Sequence, residues 1–512
     1  MDRRTTRTSR RNLHAILPGA LVAGLVAGAA GCDDGGTPHR FPPVSAGCTT
    51  PEPPAPLATG VVVGDGSAAS CTEAALREAL QQGGNLTFDC GSDPVTIRVA
   101  RELRVPTDAI LDGGGRITLD GGGTTRLLHT DARVALAVRG LAFVHGNAAG
   151  DDEVASGGAI RTGWLSTLAV FDCSFSDNAA ADDGIEGGGA IYQSNGGALT
   201  VVRSTFERNR AISGGAIDNL LAPLTVVDST FVDNASTAGG GAIYTDGGSE
   251  HHDDALGGVI SICGCRFERN ESLGTGGAVY LWAYAPDELF INRCSFVDNV
   301  ALRPGADESA LGGALRTGNA PLQLANSLFV GNHADVHGGA YWSRGNQPTQ
   351  IVNCTFVGNT AGVAGAEGGY GGALSGFNMQ LRNLTFVGNH AEFTGGAISA
   401  EGDQWTLDGC VFLDNTSANR WGLSQTCTDT LPGARNLQWP PPEDDGDPPC
   451  SADVALQDPL LGELGDHGGP TRTIPPQDDS PALDGATACP DHDQRGEPRD
   501  PQSCDLGAYE TP

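Results

Sequence analysis

The chain has 512 residues, 75 of them glycine, and carries 30 Lys and Arg against 62 Asp and Glu, a net charge of −32 at pH 7. Such an acidic surface excludes nucleic acid as a partner, because a phosphate backbone needs a basic one. It also disfavours polyanionic glycans unless a divalent cation bridges them. Much glycine, few aromatic residues and excess acid suit a secreted solenoid with polar loops.

Residues 1–31 read as an export signal. Arg3, Arg4, Arg7, Arg10 and Arg11 form its basic part, and Ala15 to Ala30 its apolar core. Pro18 and several glycines interrupt that core, which makes it a poor spanning helix, and no other stretch could cross a membrane as a helix. Ser9-Arg10-Arg11-Asn12-Leu13 resembles a twin-arginine signal, and Ala29-Ala30-Gly31-Cys32 resembles a bacterial lipobox. The lipobox resemblance implies that Cys32 is lipidated and that the mature protein is an exported lipoprotein at the outer membrane or cell surface. Residues 32–60, with Pro51, Pro53, Pro54 and Pro56, read as a tether from membrane to body.

Cys71 to Leu80 predicts a helix. Thr72 is its cap, and Leu76, Ala79 and Leu80 form its apolar side. It precedes the strand Leu86-Thr87-Phe88 and is expected to plug the open end of the fold. The stretch resembles, in degenerate form, the CSLREA motif found before secreted β-helices. Residues 91–147 read as short coils, with Val95-Thr96-Ile97, Ile117-Thr118-Leu119 and Leu136-Ala137-Val138 as strands.

From there one unit repeats. Gly-Gly-Ala plus an apolar residue begins at Gly157, Gly188, Gly214, Gly240, Gly276, Gly312, Gly338, Gly371 and Gly395. Between these blocks falls Phe-x-x-Asn, from Phe175/Asn178 to Phe412/Asn415, with a stretched copy at Phe143/Asn147. The period is about 30 residues, the range of solenoids. Before each Phe the pattern alternates, then slips by one residue, as in Leu168, Val170, Cys173 and Phe175. That is two short strands meeting at a corner. Stacked coils place Phe over Phe, Asn over Asn, and a small residue over a small residue in an interior column.

The paired motifs resemble the repeats of chlamydial polymorphic outer-membrane proteins. The resemblance covers roughly residues 140–420. It implies an all-β fold, a single-stranded right-handed parallel β-helix of pectin-lyase-like type, spanning 61–420 with an N-terminal capping helix. It also implies an adhesive role. No alternating outer-membrane barrel segment follows the repeats, so self-transport is not expected. Residues 421–454 break the repeat and read as irregular loop. The series Asp458-Pro459-Leu460-Leu461, Gly468-Gly469-Pro470-Thr471, Asp493-Gln494-Arg495-Gly496 and Asp505-Leu506-Gly507-Ala508 resembles the choice-of-anchor Q tail of secreted bacterial β-helix proteins. This makes 455–512 the expected C-terminal cap.

Of the 14 cysteines, Cys71 with Cys90, Cys427 with Cys450, and Cys489 with Cys504 are near in sequence and flank loops. They are the disulfide candidates of an oxidising compartment. Cys173, Cys265, Cys294, Cys354 and Cys410 share the small interior position and read as core residues. A bridge between Cys265 and Cys294 on consecutive coils stays open.

The chemistry resolves into few candidates. No catalytic residue and no metal ligand set is assigned, and no cofactor is expected, although calcium binding by a coil stays open. His251-His252-Asp253-Asp254 lies in a long insertion that could hold a metal or simply face water. The acidic residue before several motif asparagines reads as a turn position. The sharper signal is the residue after Gly-Gly-Ala-apolar, which points outward: Arg161, Tyr192, Asp218, Tyr244, Tyr280, Arg316, Trp342, Ser375 and Ser399. Four of the nine are aromatic, and Trp282 and Tyr284 are close to one of them. Tyr192, Tyr244, Tyr280 and Trp342 with Arg161 and Arg316 suit stacking on sugars or on a peptide. Equally, they could stabilise the coil beneath inserts such as 245–257. The expected partners are a membrane, through the lipid anchor, and an extracellular polysaccharide or cell-surface protein. Two other readings stand beside this adhesive, glycan-binding rod: a polysaccharide lyase or hydrolase, and a spacer without ligand.

Overall fold

The structure is a computed structural model that describes residues 39–148, 155–182, 184, 186–249, 257–305, 309–366, 368–419, 422–443 and 446–512. The expected export signal at 1–31, the expected lipidation site Cys32 and His251-His252-Asp253-Asp254 lie outside the described residues. The body begins at Phe41 and runs to Pro512.

One coil shows how the repeat folds. Leu224–Val227 is followed by a corner at Asp228 and by the short strand Thr230–Val232. Asp233 and Asn234 turn the chain into Ala235–Gly239, and Gly240-Gly241-Ala242 leads into Ile243–Asp246. Every strand pairs in parallel with its equivalent one coil on: Leu224 with Ile260, Phe231 with Phe267, Ile243 with Val279. Among the described residues this gives parallel stacks of 25, 11 and 8 strands. They are a sheet with a Leu-x-Val arm and a Phe arm, a Gly-Gly-Ala sheet and a short third side. The fold is a right-handed parallel β-helix, the hand that parallel crossovers almost always take.

Both corners of the large sheet need left-handed backbone. The first falls on Asp172, Arg203, Asp228, Arg293, Asn326, Asn353 and Asn383, the second on Asp177, Arg208, Asp233, Arg269, Asp298 and Asp414, all at φ between 45° and 57°. Asp and Asn tolerate this region better than most residues. The turn reading of the acidic positions is therefore what the backbone shows. Several corners also fork arginine onto aspartate one coil away, as Arg203 does on Asp172 at 2.7 and 2.8 Å and Arg208 on Asp177 at 2.9 Å. In the Gly-Gly pair, Gly214 sits at φ 52°, while a Cβ on Gly215 would run into the carbonyl of Gly241.

The core is built of columns. The motif phenylalanines are fully buried and stack nearly parallel from Phe143 to Phe412, 4.7 Å apart at Phe143–Phe175 and 4.9 Å at Phe386–Phe412. The motif asparagines form a second column, each side-chain amide hydrogen-bonding the next, as Asn234 Nδ2 does to Asn270 Oδ1 at 3.0 Å. The small position forms a third. Cys173, Cys265, Cys294, Cys354 and Cys410 are buried free thiols, so Cys265 and Cys294 are not bridged here. Burial pushes the thiols of Cys173 and Cys354 up to about 12, which leaves them unreactive.

The ends differ from expectation in two ways. The helix Glu73–Gln82, with Thr72 Oγ1 accepting from the Ala75 amide at 3.2 Å, buries Leu76, Ala79 and Leu80 over the first coils. At the other end, residues 421–454 are not merely loop. Asn436–Trp439 and Val454–Ala455 add strands to the large sheet, and Cys427–Cys450 ties them. The segment 455–512 packs on the side of the coil instead. Asn353 Nδ2 donates to the His492 carbonyl at 2.6 Å, the Gly507 amide to the Gly409 carbonyl at 2.8 Å, and Leu506 and Cys504 pack on Val411 and Leu437. Cys71–Cys90 and Cys489–Cys504 are bonded as well.

The second difference concerns the tether. Its residues from Phe41 on are a bound strap. Gln323 Nε2 donates to the Pro42 carbonyl at 2.7 Å, Asn292 and Asn326 donate to the Ser45 carbonyl at 2.9 and 3.1 Å, and Arg293 reaches Ala46. A disulfide, Cys48–Cys263, fastens it across 215 residues of sequence. Proline prevents this segment from joining a sheet, yet its carbonyls remain acceptors for the corner asparagines. The chain thus enters the body beside its C-terminal segment, far from the helix-capped end.

Candidate functional site

The Gly-Gly-Ala sheet puts the proposed stripe in register. Arg161, Tyr192, Asp218, Tyr244, Tyr280, Arg316, Trp342, Ser375 and Ser399 pair neighbour to neighbour. They form one outward column, but the turns on either side close over much of it. Tyr192 is 2% exposed, Trp342 7%, and Asp218 3%. Tyr244, Tyr280, Arg161 and Arg316 are half-buried. The open part is therefore the middle, where the strand Val279–Trp282 brings Trp282 beside Tyr280 and the following turn adds Tyr284.

The column binds itself together. The Arg161 guanidinium lies 4.6 Å over the Tyr192 ring and pairs with Glu186 at 2.9 Å. The Arg316 guanidinium sits among three rings, at 4.5 Å from Tyr280, 5.2 Å from Trp342 and 5.9 Å from Trp282. Tyr244 meets Tyr280 edge-on at 5.0 Å. These contacts spread positive charge over ring faces. They also explain the burial of Tyr192 and Trp342, which work as struts of the ladder. Trp282 is different: its ring lies across the backbone of Gly318, where an added Cβ would come within 2.6 Å of it. Glycine there lets the indole lie down on the sheet.

Three polar groups of the column have no partner among the described residues: Arg316 Nε, Trp342 Nε1 and Ser375 Oγ. They stand on consecutive coils. Buried donors without partners are costly, so ordered water or ligand hydroxyls suit this strip. On the carboxylate side, Asp246 accepts from the Tyr284 hydroxyl at 2.6 Å. Asp218 accepts from Ser213 Oγ at 2.7 Å and the Gly187 amide at 2.8 Å. Burial, reinforced by the charges of Glu186 and Asp246, raises the Asp218 carboxyl to about 7 despite those bonds. Asp287, fully buried, accepts from the amides of Gly248 and Gly258 at 2.7 and 2.6 Å and so clamps the base of the long insertion. No group of three or more His, Cys, Asp or Glu comes together as a cation site among the described residues.

Sequence reasoning found the column and its register but not its cover. Trp282 belongs to an outward column two residues further along the strands, in register with Asp246 and Gly318. The sequence marks Trp282 as close to the stripe, and counting two residues on would have placed it in this column.

A model of the Chlamydia polymorphic membrane protein (Chlamydia_PMP) repeat matches residues 228–246. That stretch holds Phe231, Asn234, Gly240-Gly241-Ala242-Ile243, Tyr244 and Asp246. The chain carries this type of repeat, and the same pattern recurs in the other coils. Among solved structures, tailspike protein 3 of bacteriophage CBA120 aligns at 13% identity with a TM-score of 0.34. The alignment covers 70% of this chain and 59% of the tailspike. A comparison with curated proteins finds no relative.

Proposed function

We propose that the protein is an exported lipoprotein, anchored through Cys32 at the outer membrane or cell surface, and that its β-helix is a non-enzymatic adhesion rod that binds glycan. The observation that carries the reading is the half-open aromatic patch of Tyr244, Tyr280, Trp282 and Tyr284 on the Gly-Gly-Ala sheet. Aromatic faces beside Asp246 and Arg316 suit the apolar faces and hydroxyls of sugars. The polymorphic membrane protein repeat is consistent with a surface location.

Retention on immobilised glycans or intact cells tests this. Trp282→Ala with Tyr284→Ala is expected to lower affinity about tenfold, since each stacked ring is worth about 0.5–1.5 kcal/mol. Equal retention of the variant and the parent protein would remove the patch as the contact. One observation favours the hydrolase reading: Asp218, held protonated near neutral pH, is the kind of carboxyl a general acid requires. Its burial and its two hydrogen bonds give it a structural role in the reading preferred here.

A further inference from the structure

The large sheet carries a second outward column, on its Leu-x-Val arm. Gln323, Gln350, Gln380 and Thr406 are paired in register on consecutive coils, a run of about 14 Å at the strand spacing. The strap from Phe41 to Ala46 walls one side, and the C-terminal segment from Ala486 to His492 walls the other. Beside the column lie two cavities, one of about 350 Å³ against Ala486 to Cys489 and one of about 340 Å³ between the strap and Cys489 to His492; they share Gln350, Arg382 and Cys489 and so form one cleft. Each alone is within the size range of ligand sites. Both walls are fixed by disulfides, Cys48–Cys263 and Cys489–Cys504.

The polar groups of this cleft are only partly engaged. Gln323, just outside the cleft lining, spends its amide N–H groups on the Pro42 carbonyl and on Gln350 Oε1, at 2.7 and 2.9 Å. Gln350 and Gln380 keep their amide N–H groups without a partner among the described residues. Arg382 is exposed in the cleft with no ion pair among the described residues. Arg203, Arg208 and Arg269, by contrast, are each forked onto an aspartate. Asp408, in register with Arg382, accepts instead from the Ala434 amide at 3.0 Å.

We propose that this cleft is a second ligand site and takes a short saccharide carrying one carboxylate. The carboxylate meets the planar donor fork of Arg382. The amides of Gln350 and Gln380 and the hydroxyl of Thr406 meet sugar hydroxyls. A peptide is the poorer fit, because the floor is a sheet face whose backbone groups are spent in the ladder and cannot pair with an added strand. The choice of a saccharide rests on the glycan-binding reading above, while the location is independent of the aromatic patch.

Calorimetric titration of the purified protein with 3′-sialyllactose, a trisaccharide with one carboxylate, and with globotriose, a neutral one, tests the proposal. Arg382→Gln is expected to weaken sialyllactose binding about tenfold or more, the worth of a charge-assisted fork, and to leave globotriose unaffected. Gln350→Ala is expected to weaken both, and its thermal unfolding midpoint checks that the strap remains seated. Arg210→Gln, at an exposed arginine outside both the cleft and the patch, is expected to change neither. No binding of sialyllactose at millimolar concentration, or binding that Arg382→Gln leaves unchanged, overturns the proposal. Loss through Trp282→Ala alone assigns the ligand to the patch and overturns it too. Loss through Arg382→Gln alone upholds the cleft even where the patch reading fails.

Discussion

Replacing Asn270 by alanine probes what holds the coils together. The Asn270 amide is fully buried and makes four side-chain hydrogen bonds. Its Nδ2 donates to the Phe231 carbonyl at 3.0 Å and to Asn299 Oδ1 at 2.9 Å. Its Oδ1 accepts from the Asn234 amide at 3.1 Å and from Asn234 Nδ2 at 3.0 Å. The alanine variant leaves the Phe231 carbonyl and two Asn234 donors buried and unpaired. At about 1–3 kcal/mol per orphaned group, the loss should be about 3–9 kcal/mol. That is a large part of the about 5–15 kcal/mol of a typical domain. The control is Asp233→Asn, which weakens the fork of Arg269 on Asp233. Those side chains are 48% and 38% exposed, so the change should cost less than about 1 kcal/mol. Guanidinium unfolding followed by circular dichroism measures both, and hydrogen exchange locates the weakened coils. A loss below about 1 kcal/mol for Asn270→Ala would refute the idea that the buried amide column outweighs the surface ion pairs.

Two further outcomes follow from the same geometry. Burial holds the Asp218 carboxyl at about 7 in the folded protein, whereas an unfolded aspartate titrates near 4. Its contribution to stability is thus full below about pH 4 and is lost as pH rises toward 7. Asp218→Asn should flatten the thermal midpoint between pH 4 and 7 relative to the parent protein; an unchanged slope contradicts the assignment. Cys48→Ser frees the strap from Cys263, so limited proteolysis should cut within residues 41–56 while the coils stay intact. Resistance equal to that of the parent would mean that the hydrogen bonds from Asn292, Arg293, Asn326 and Gln323 hold the strap alone.

The coil was legible because its information is local and repeated. A Phe every thirty or so residues, with the same spacing to Asn, leaves one register in which both columns close, and the small residue two before Phe fits only inside. The same alternation placed Tyr192 and Tyr244 in one outward column, but exposure is not a property of the column. Tyr192 is closed over by Arg161 and Glu186, whereas Tyr244 is partly open; that difference arises in turns whose path the repeat does not encode. The strap was illegible for another reason. Nothing within residues 41–48 indicates that Ser45 will meet Asn292 and Asn326, and the cysteines nearest to Cys48 in sequence, Cys32 and Cys71, do not point to Cys263. The C-terminal segment failed similarly: Leu506 and Ala508 find their place against Val411 and Thr385 only once the coils have stacked.

Whether the rod holds glycan without cutting it is the central question. Purified protein, with and without calcium, would be incubated with a panel of acidic and neutral polysaccharides, recording both retention and new chain ends. Retention on at least one glycan, lowered in the Trp282→Ala, Tyr284→Ala variant and unaccompanied by new chain ends, is the predicted result. Chain ends that accumulate with time and vanish in Asp218→Asn would contradict it and make the Gly-Gly-Ala sheet an active site.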